Sequence, residues 1–310
     1  MELEERLAAL LSGYPNSTLT AAARHLCLAE GAKRARPQLT YAFGEALGVP
    51  GDASLDIALA AELIHSASLL HDDVVDAGTL RRGRPTANSL YGNHAAVLSG
   101  DLLICFALQS LRNHPPASNA LAVEVIAKMT HAAIFEVESR GVADLSYRSW
   151  ESIALGKTGI LFGFCGAASA IFAGDHQARE DLMNVGERLG VAFQLADDLA
   201  DIRTDTNKNA FADIRQRNPS SLLALAAESS ADFKRALGDA WAAHTTEVPQ
   251  ALVLSLVDQL NKCGAPERLR ERLMKELVVA REVLARYASR PGISHVETWT
   301  HLLAQNAGIE

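Results

Sequence analysis

The 310-residue chain is poor in aromatics, at 5%, and holds only four cysteines. Cys27, Cys105, Cys165 and Cys263 lie far apart, with no CxxC pair among them. That spacing excludes a disulfide frame and a cysteine zinc site, and it fits buried thiols in a reducing, cytoplasmic compartment. Positive charge is in deficit: 29 Lys and Arg against 37 Asp and Glu give a net charge of −8. A nucleic-acid binder carries a basic face, so no nucleic acid is expected as a partner. An anionic ligand must then be met by a local basic cluster or by metal ions. Convincing runs of alternating β-branched residues are missing, which argues against strands as the main element. The N-terminus, MELEERLAALLSGYP, lacks the basic start and long apolar run of a signal peptide. One stretch, residues 158–174, carries no charge. It falls just short of a membrane span and is rich in Gly, Ala and Ser, so it reads as a buried central helix; no transmembrane segment is expected.

Helical signals fill what is left. The stretch LDIALAAELIHSASLLHDD is Ala/Leu-rich and free of Gly and Pro, and APERLRERLMKELVVAREVLARYA places Pro266 near a helix start with apolar residues at helical spacing. Breakers cluster in GVPGDAS, AGTLRRGRPTAN, NHPPASN and SRPGIS, which are too short for domain linkers. No repeat of solenoid period is present. The expectation is a single all-α domain over residues 1–310, with about ten or more helices.

Two segments carry the chemistry. In HDDVVDAGTLRRGRPT, Asp72 and Asp76 stand four residues apart, with Asp73 alongside; in FQLADDLAD, Asp197, Asp198 and Asp201 repeat the device. On a helix that spacing puts two carboxylates on one face, about 6 Å apart along the axis. They repel each other unless a cation lies between them. Hard oxygen donors in pairs suit Mg²⁺, which completes its shell with water and phosphate. One such motif is weak evidence, because acidic helix faces are common. Two, each set in Leu, Val and Ala, are hard to read as solvated surface. His65 lies two turns before Asp72 and Ser68 one turn before it, while Gln194 precedes Asp197 by three residues. Alone, His65 would read as a hydrogen-bonded core histidine. Basic residues come in three groups: Lys33, Arg34 and Arg36; Arg81, Arg82 and Arg84; and Lys157 beside Thr158. Arginine forks match phosphate oxygens, and lysine supplies a point charge.

GAKRARPQL, HDDVVDAGTLRRGRPT, GNHAAVLSGDLLI, GKTG and FQLADDLAD follow one another in this chain. In this order they resemble the trans-isoprenyl diphosphate synthases, the polyprenyl synthetase family. The resemblance runs from about Lys33 to Ala226. It implies an all-α isoprenoid-synthase fold around a central cavity, usually a homodimer. It also implies head-to-tail condensation of isopentenyl diphosphate with an allylic diphosphate to a trans-polyprenyl diphosphate. By position, Asp72, Asp76 and Asp197 would hold Mg²⁺ on the allylic diphosphate, with Asp73, Asp198 and Asp201 in support. Arg81, Lys157, Thr158, Gln194 and Lys208 would contact that diphosphate. Lys33, Arg36, His65 and Arg82 would bind isopentenyl diphosphate. Asp72, Asp76, Asp197, Lys157 and Arg81 would be the catalytic set.

The chain departs from the family pattern in places. GGKRLRP is here GAKRARP, with Ala32 and Ala35; a Gly-Gln pair is replaced by Arg140 and Gly141; a lysine in a DLxxGKxTLP stretch is Asn218. The second aspartate side is thus expected to lack one phosphate-binding lysine. Two other functions compete. A class I terpene cyclase ionises one diphosphate and pairs a single DDxxD with an Asn/Ser/Glu triad, whereas DDLAD stands here. An inactive partner subunit of a heteromeric synthase would be expected to lose aspartates, and all six remain. By the same resemblance, in which bulky aromatics at these positions go with fifteen-carbon products and small residues with longer ones, Ala67 and Ser68, about one turn before Asp72, would form the floor of the product channel and imply a product longer than fifteen carbons.

Overall fold

The computed structural model describes residues 2–14, 17–201, 211–244 and 247–309. The chain divides into two compact units: Met1–Ile126 with Phe164–Met183 and Ser289–Ile293, and Ala127–Gly163 with Asn184–Ala288 and Ser294–Glu310. Both are helical. The only sheet among the described residues is a hairpin of two-residue strands, so the all-α expectation holds.

The first unit contains α1 (Glu2–Ser12), α2 (Thr18–Cys27), α3 (Ala35–Leu47), α4 (Gly51–Val75), the hairpin β1 (Leu80–Arg81) and β2 (Arg84–Pro85), α5 (Ala87–Tyr91) and α6 (Asn93–Ser110). It also takes the first part of α7 (Pro116–Glu138). Ser17 starts α2 with a capping box, its hydroxyl accepting from Thr20 N while the Thr20 hydroxyl accepts from Ser17 N. The long α4 is interrupted by no Gly or Pro after its first residue, and Ala58, Ala60 and Ala61 are fully buried on it. Small residues let α3 and α6 approach closely. At the α4–α6 contact a Cβ on Gly100 would lie 2.2 Å from His71 Nε2. The glycine therefore makes the seat for the ring that precedes Asp72.

The second unit holds α8 (Tyr147–Ala154), a π-helical turn (Leu155–Gly159), the start of α9 (Ile160–Ala173) and the end of α10 (His176–Asp201). Then come α11 (Ala212–Gln216), α12 (Ser221–Ser229), α13 (Ala231–Ala243), α14 (Gln250–Lys262), α15 (Ala265–Leu284) and α16 (Ile293–Asn306). Ser146, Ser220 and Ser230 cap α8, α12 and α13 by accepting from the third residue on. Pro266 sits in the first turn of α15, as its position in the sequence suggests.

Two helical stretches, α4 and residues 147–173, are long and apolar enough to cross a membrane, and each buries most of that length inside the fold. All residues from 161 to 170 are buried, in line with the expected central helix. Four glycines set the packing where α10 crosses the π-turn and the start of α9. A Cβ on Gly190 would lie 2.5 Å from Gly159 Cα, and one on Gly186 would lie 2.4 Å from Phe162 O and 2.5 Å from Gly163 Cα. The two backbones touch directly, with no room for a side chain between them.

Candidate active site

In the first unit the acidic motif ends a helix. Asp72 and Asp73 lie in the last turn of α4, and Asp76 is its C-cap. Ala77 N donates to Val74 O at 3.2 Å and Gly78 N to Asp73 O at 2.9 Å, which closes the helix as a Schellman motif. Its left-handed residue is Ala77, with φ 49°, where glycine is the usual choice. The negative end of the α4 dipole therefore coincides with the carboxylates, and both favour a cation. Asp72 is half-buried and Asp76 exposed. Asp73 is buried and bound to Arg81, whose Nε and Nη2 donate to Asp73 Oδ1 at 3.0 and 2.8 Å.

Arg81 stands on the hairpin. Arg82 and Gly83 form its turn with φ of 52° and 74°, the positive pair that a type I′ turn demands. Thr86 Oγ1 donates to Gly78 O at 2.8 Å, and Asn88 Nδ2 donates to both Asp73 O and Gly78 O at 3.2 and 3.1 Å. From α2, His25 Nε2 donates to Pro85 O at 2.7 Å. The arginine hairpin is thus tied to the end of the aspartate helix and to α2 as well.

The same unit gathers the other basic group. Arg34 turns inward at φ 47° and spends its guanidinium on Glu4 (2.7 and 2.9 Å), Glu62 (2.5 Å) and Cys27 O (2.6 Å). It anchors the loop between exposed Lys33 and buried Arg36. His65 lies where burial, and then the charges of Arg36, Arg81, Arg82 and Arg34, push its pKa well below the usual 6.5. The imidazole is therefore neutral at pH 7, in a positive field suited to an anion. Ala67 is buried and Ser68 half-buried, its hydroxyl donating to His65 O at 2.8 Å.

In the second unit the other acidic motif again ends a long helix, α10. Asp197 is exposed. Asp198 is buried and accepts from Ser221 N at 2.7 Å and Ser221 Oγ at 2.5 Å. Burial pushes its pKa up to about 7, helped by the charge of Asp197 and opposed by the bonds from Ser221. Asp201 accepts from Ala212 N at 3.2 Å, and burial raises it also. The glycine contact of α10 with the π-turn brings Thr158 Oγ1 to 3.3 Å from Gln194 Oε1, to which it donates. Lys157 on the same turn forms an ion pair with Glu136 of α7. A cavity of about 100 Å³ opens here, lined among others by Glu136, Lys157, Gln194, Asp198, Asp213 and Asn218.

Of the expected residues, Arg81 meets Asp73, His65 lies in the field of Arg36, Arg81 and Arg82, and Lys157, Thr158, Gln194 and Asp198 line one cavity; Lys208 lies outside the described residues. Asn218, where the family pattern has lysine, does line the cavity. Sequence reasoning missed Glu136, Asp213 and Ser221. Glu136 follows an apolar run and pairs with a residue 21 positions away, which no local pattern reveals. Asp213 is a lone carboxylate whose pKa is raised well above 3.8, by burial first and then by Asp198 and Asp201.

Both aspartate groups fit magnesium. Their donors are carboxylate oxygens, paired one turn apart at the negative end of a helix. Among the described residues no three or more His, Cys, Asp or Glu form a ready metal cluster. Magnesium needs none, since it keeps waters and takes phosphate oxygens.

A family model described as Polyprenyl synthetase matches residues 16–254. The octaprenyl diphosphate synthase of Escherichia coli (strain K12) is 30% identical over 259 residues, 79% of this chain and 77% of that protein. The geranylgeranyl pyrophosphate synthase of Geoglobus acetivorans is 30% identical over 295 residues, 91% of this chain and 89% of that one. Among solved structures, polyprenyl synthase from Caulobacter crescentus CB15, complexed with calcium and isoprenyl diphosphate, superposes with a TM-score of 0.86. It is 29% identical, and the match covers 97% of this chain and 92% of that one.

Proposed function

The chain belongs to the polyprenyl synthetase family, and from that premise we propose that it joins isopentenyl diphosphate to an allylic diphosphate with Mg²⁺. It is a trans-prenyl diphosphate synthase, a transferase. One observation carries the finer reading. In each unit a long helix ends in paired carboxylates with a cation at hand, Arg81 bound to Asp73 in one and Lys157 lining a cavity with Asp198 in the other.

In this proposal Asp72 and Asp76 would hold magnesium, with Asp73 in support through its bond to Arg81. Asp197 would also hold it, with Asp198 and Asp201 in support. When bound, the metal supplies positive charge against the negative charge that grows on the leaving diphosphate. Arg81, Lys157, Thr158, Gln194 and Lys208 hold the allylic diphosphate. Lys33, Arg36, His65 and Arg82 hold isopentenyl diphosphate. The allylic C–O bond breaks with its electron pair going to the diphosphate, the double bond of isopentenyl diphosphate attacks the allylic carbon, and the departed diphosphate takes the proton whose loss restores a double bond. Apolar walls keep water from the cation. The neutral His65 supports this assignment, because an imidazole that is a donor without a charge orients a phosphate without adding repulsion against the arginines around it.

A cyclase ionises one diphosphate and has no use for the second basic group around His65, so elongation is the better reading. The product is proposed to exceed fifteen carbons, since Ala67 and Ser68 are small. Residues 1–310 would act as one isoprenoid-synthase domain, in the cytoplasm. The exposed apolar Val97, Leu98 and Cys105 on α6 support a second copy of the chain as partner. Steady-state kinetics on variants test the residue assignments. Arg36→Ala and His65→Ala should raise KM for isopentenyl diphosphate, and Lys157→Ala should raise KM for the allylic substrate. Equal effects on both substrates from all three variants would refute the division.

A further inference from the structure

The cavity around Lys157 is an odd place for a bare anion. Among its described lining residues Lys157 is the one cation, and it shares the cavity with the carboxylate of Glu136 and the acid side chains of Asp198 and Asp213. Lys157 itself is in contact with Glu136, both side chains being about a quarter exposed. Glu136 comes from α7, while Lys157 sits on the π-helical turn, so the pairing is tertiary and not a surface i,i+4 contact. Asn218 lines the same cavity with a neutral amide. A diphosphate that approaches Lys157 meets an ammonium already matched by a carboxylate, and the water that would screen the repulsion is partly excluded. A diphosphate carrying divalent cations meets the reverse: Glu136 then attracts it.

We propose that Glu136 is a specificity-determining residue that makes the Lys157 cavity accept a diphosphate only as its divalent-metal complex. The inference rests on the cavity being the allylic diphosphate site. Glu136 acts by holding the Lys157 charge in balance until a metal-bearing ligand arrives. It also keeps the long lysine side chain fixed in the cavity wall, at a known point for the ligand.

Calorimetric titration with inorganic pyrophosphate tests this. The full chain carries Arg36→Ala and Arg82→Ala, which remove two of the anion-binding side chains of the other unit and weaken its background binding. Three proteins are compared in this background: Glu136 intact, Glu136→Gln, and Glu136→Gln with Lys157→Ala. Glutamine keeps the length and the acceptor oxygen but removes the charge. In EDTA, Glu136→Gln should bind pyrophosphate at least about tenfold tighter than the protein with Glu136, the effect of removing one nearby charge at a half-buried site. Lys157→Ala should abolish that gain. In excess Mg²⁺ the first two proteins should agree within about threefold. Glu136→Ala is expected to behave as Glu136→Gln does, and either variant serves if the other does not fold. No gain in EDTA, or a gain that survives Lys157→Ala, would overturn the proposal. If the protein with Glu136 binds no pyrophosphate even with Mg²⁺, the reading of the cavity as a diphosphate site fails, and the proposal fails with it.

Discussion

Replacing Asp73 with asparagine should separate the two jobs a carboxylate could do in the first motif. Asp73 is 6% exposed and Arg81 32% exposed at the side chain, and two donors of Arg81 meet one oxygen of Asp73 at 3.0 and 2.8 Å. Breaking a fully buried pair costs about 3–5 kcal/mol. Here Arg81 can rehydrate through its exposed third, so a loss of about 2–3 kcal/mol is expected. In a chain this long that corresponds to a fall in Tm of roughly 3–5 °C. Asparagine presents an amide to a fork built for a carboxylate, so the arginine hairpin should loosen as well. A double-mutant cycle of Asp73→Asn with Arg81→Ala measures the pair: a coupling near 2 kcal/mol is expected. Kinetics follow the same logic. Asp73→Asn should raise KM for the allylic substrate about as much as Arg81→Ala does, and leave the Mg²⁺ concentration for half-activity within about twofold, while Asp72→Asn and Asp76→Asn shift that concentration by tenfold or more. Additive stability changes would refute the reasoning. So would a shift in Mg²⁺ dependence for Asp73→Asn as large as for Asp72→Asn.

Gly190→Ala should cost about 2–3 kcal/mol and lower kcat, because the new Cβ would lie 2.5 Å from Gly159 Cα and the backbone must move Gln194 away from Thr158; an unchanged Tm would contradict the close packing. Burial holds the His65 pKa well below 6.5 in the fold, while the unfolded chain takes up its proton below about pH 6.5, so its share of stability is lost as pH falls through 6.5. Thermal melts from pH 7.5 to 5.5 should therefore be flatter for His65→Gln than for the parent, and equal slopes would refute the depressed pKa. Ala67→Phe should shorten the product, since an aromatic ring cannot share close-packed channel volume with the growing chain. An unchanged product distribution by chromatography would show that Ala67 lies away from the channel.

Much of the site was legible because its residues are local in sequence. The i,i+4 carboxylates need only a helix to share a face, and the lack of alternating strands made a helix the expected setting. The end of each helix at its aspartates was less visible. At the first motif the chain stops helical pairing through a left-handed alanine, Ala77, where a glycine would have announced the break. Arg34 and Arg82 hide left-handed positions in the same way, and LRRGRP read as a breaker although it forms a hairpin. Arg34 also looked like part of a phosphate cluster, yet its four acceptors come from Glu4, Glu62 and Cys27, which only tertiary packing assembles. Glu136 and Ser221 escaped for that reason too. Their partners, Lys157 and Asp198, lie 21 and 23 residues away on other elements.

Elongation is tested most directly with purified chain incubated with labelled isopentenyl diphosphate and each allylic diphosphate primer, in Mg²⁺ and in EDTA, with products separated by chain length. Prenyl diphosphates longer than fifteen carbons are expected in Mg²⁺ and none in EDTA. Full turnover in EDTA, or no elongation of any primer in Mg²⁺, would contradict this reading.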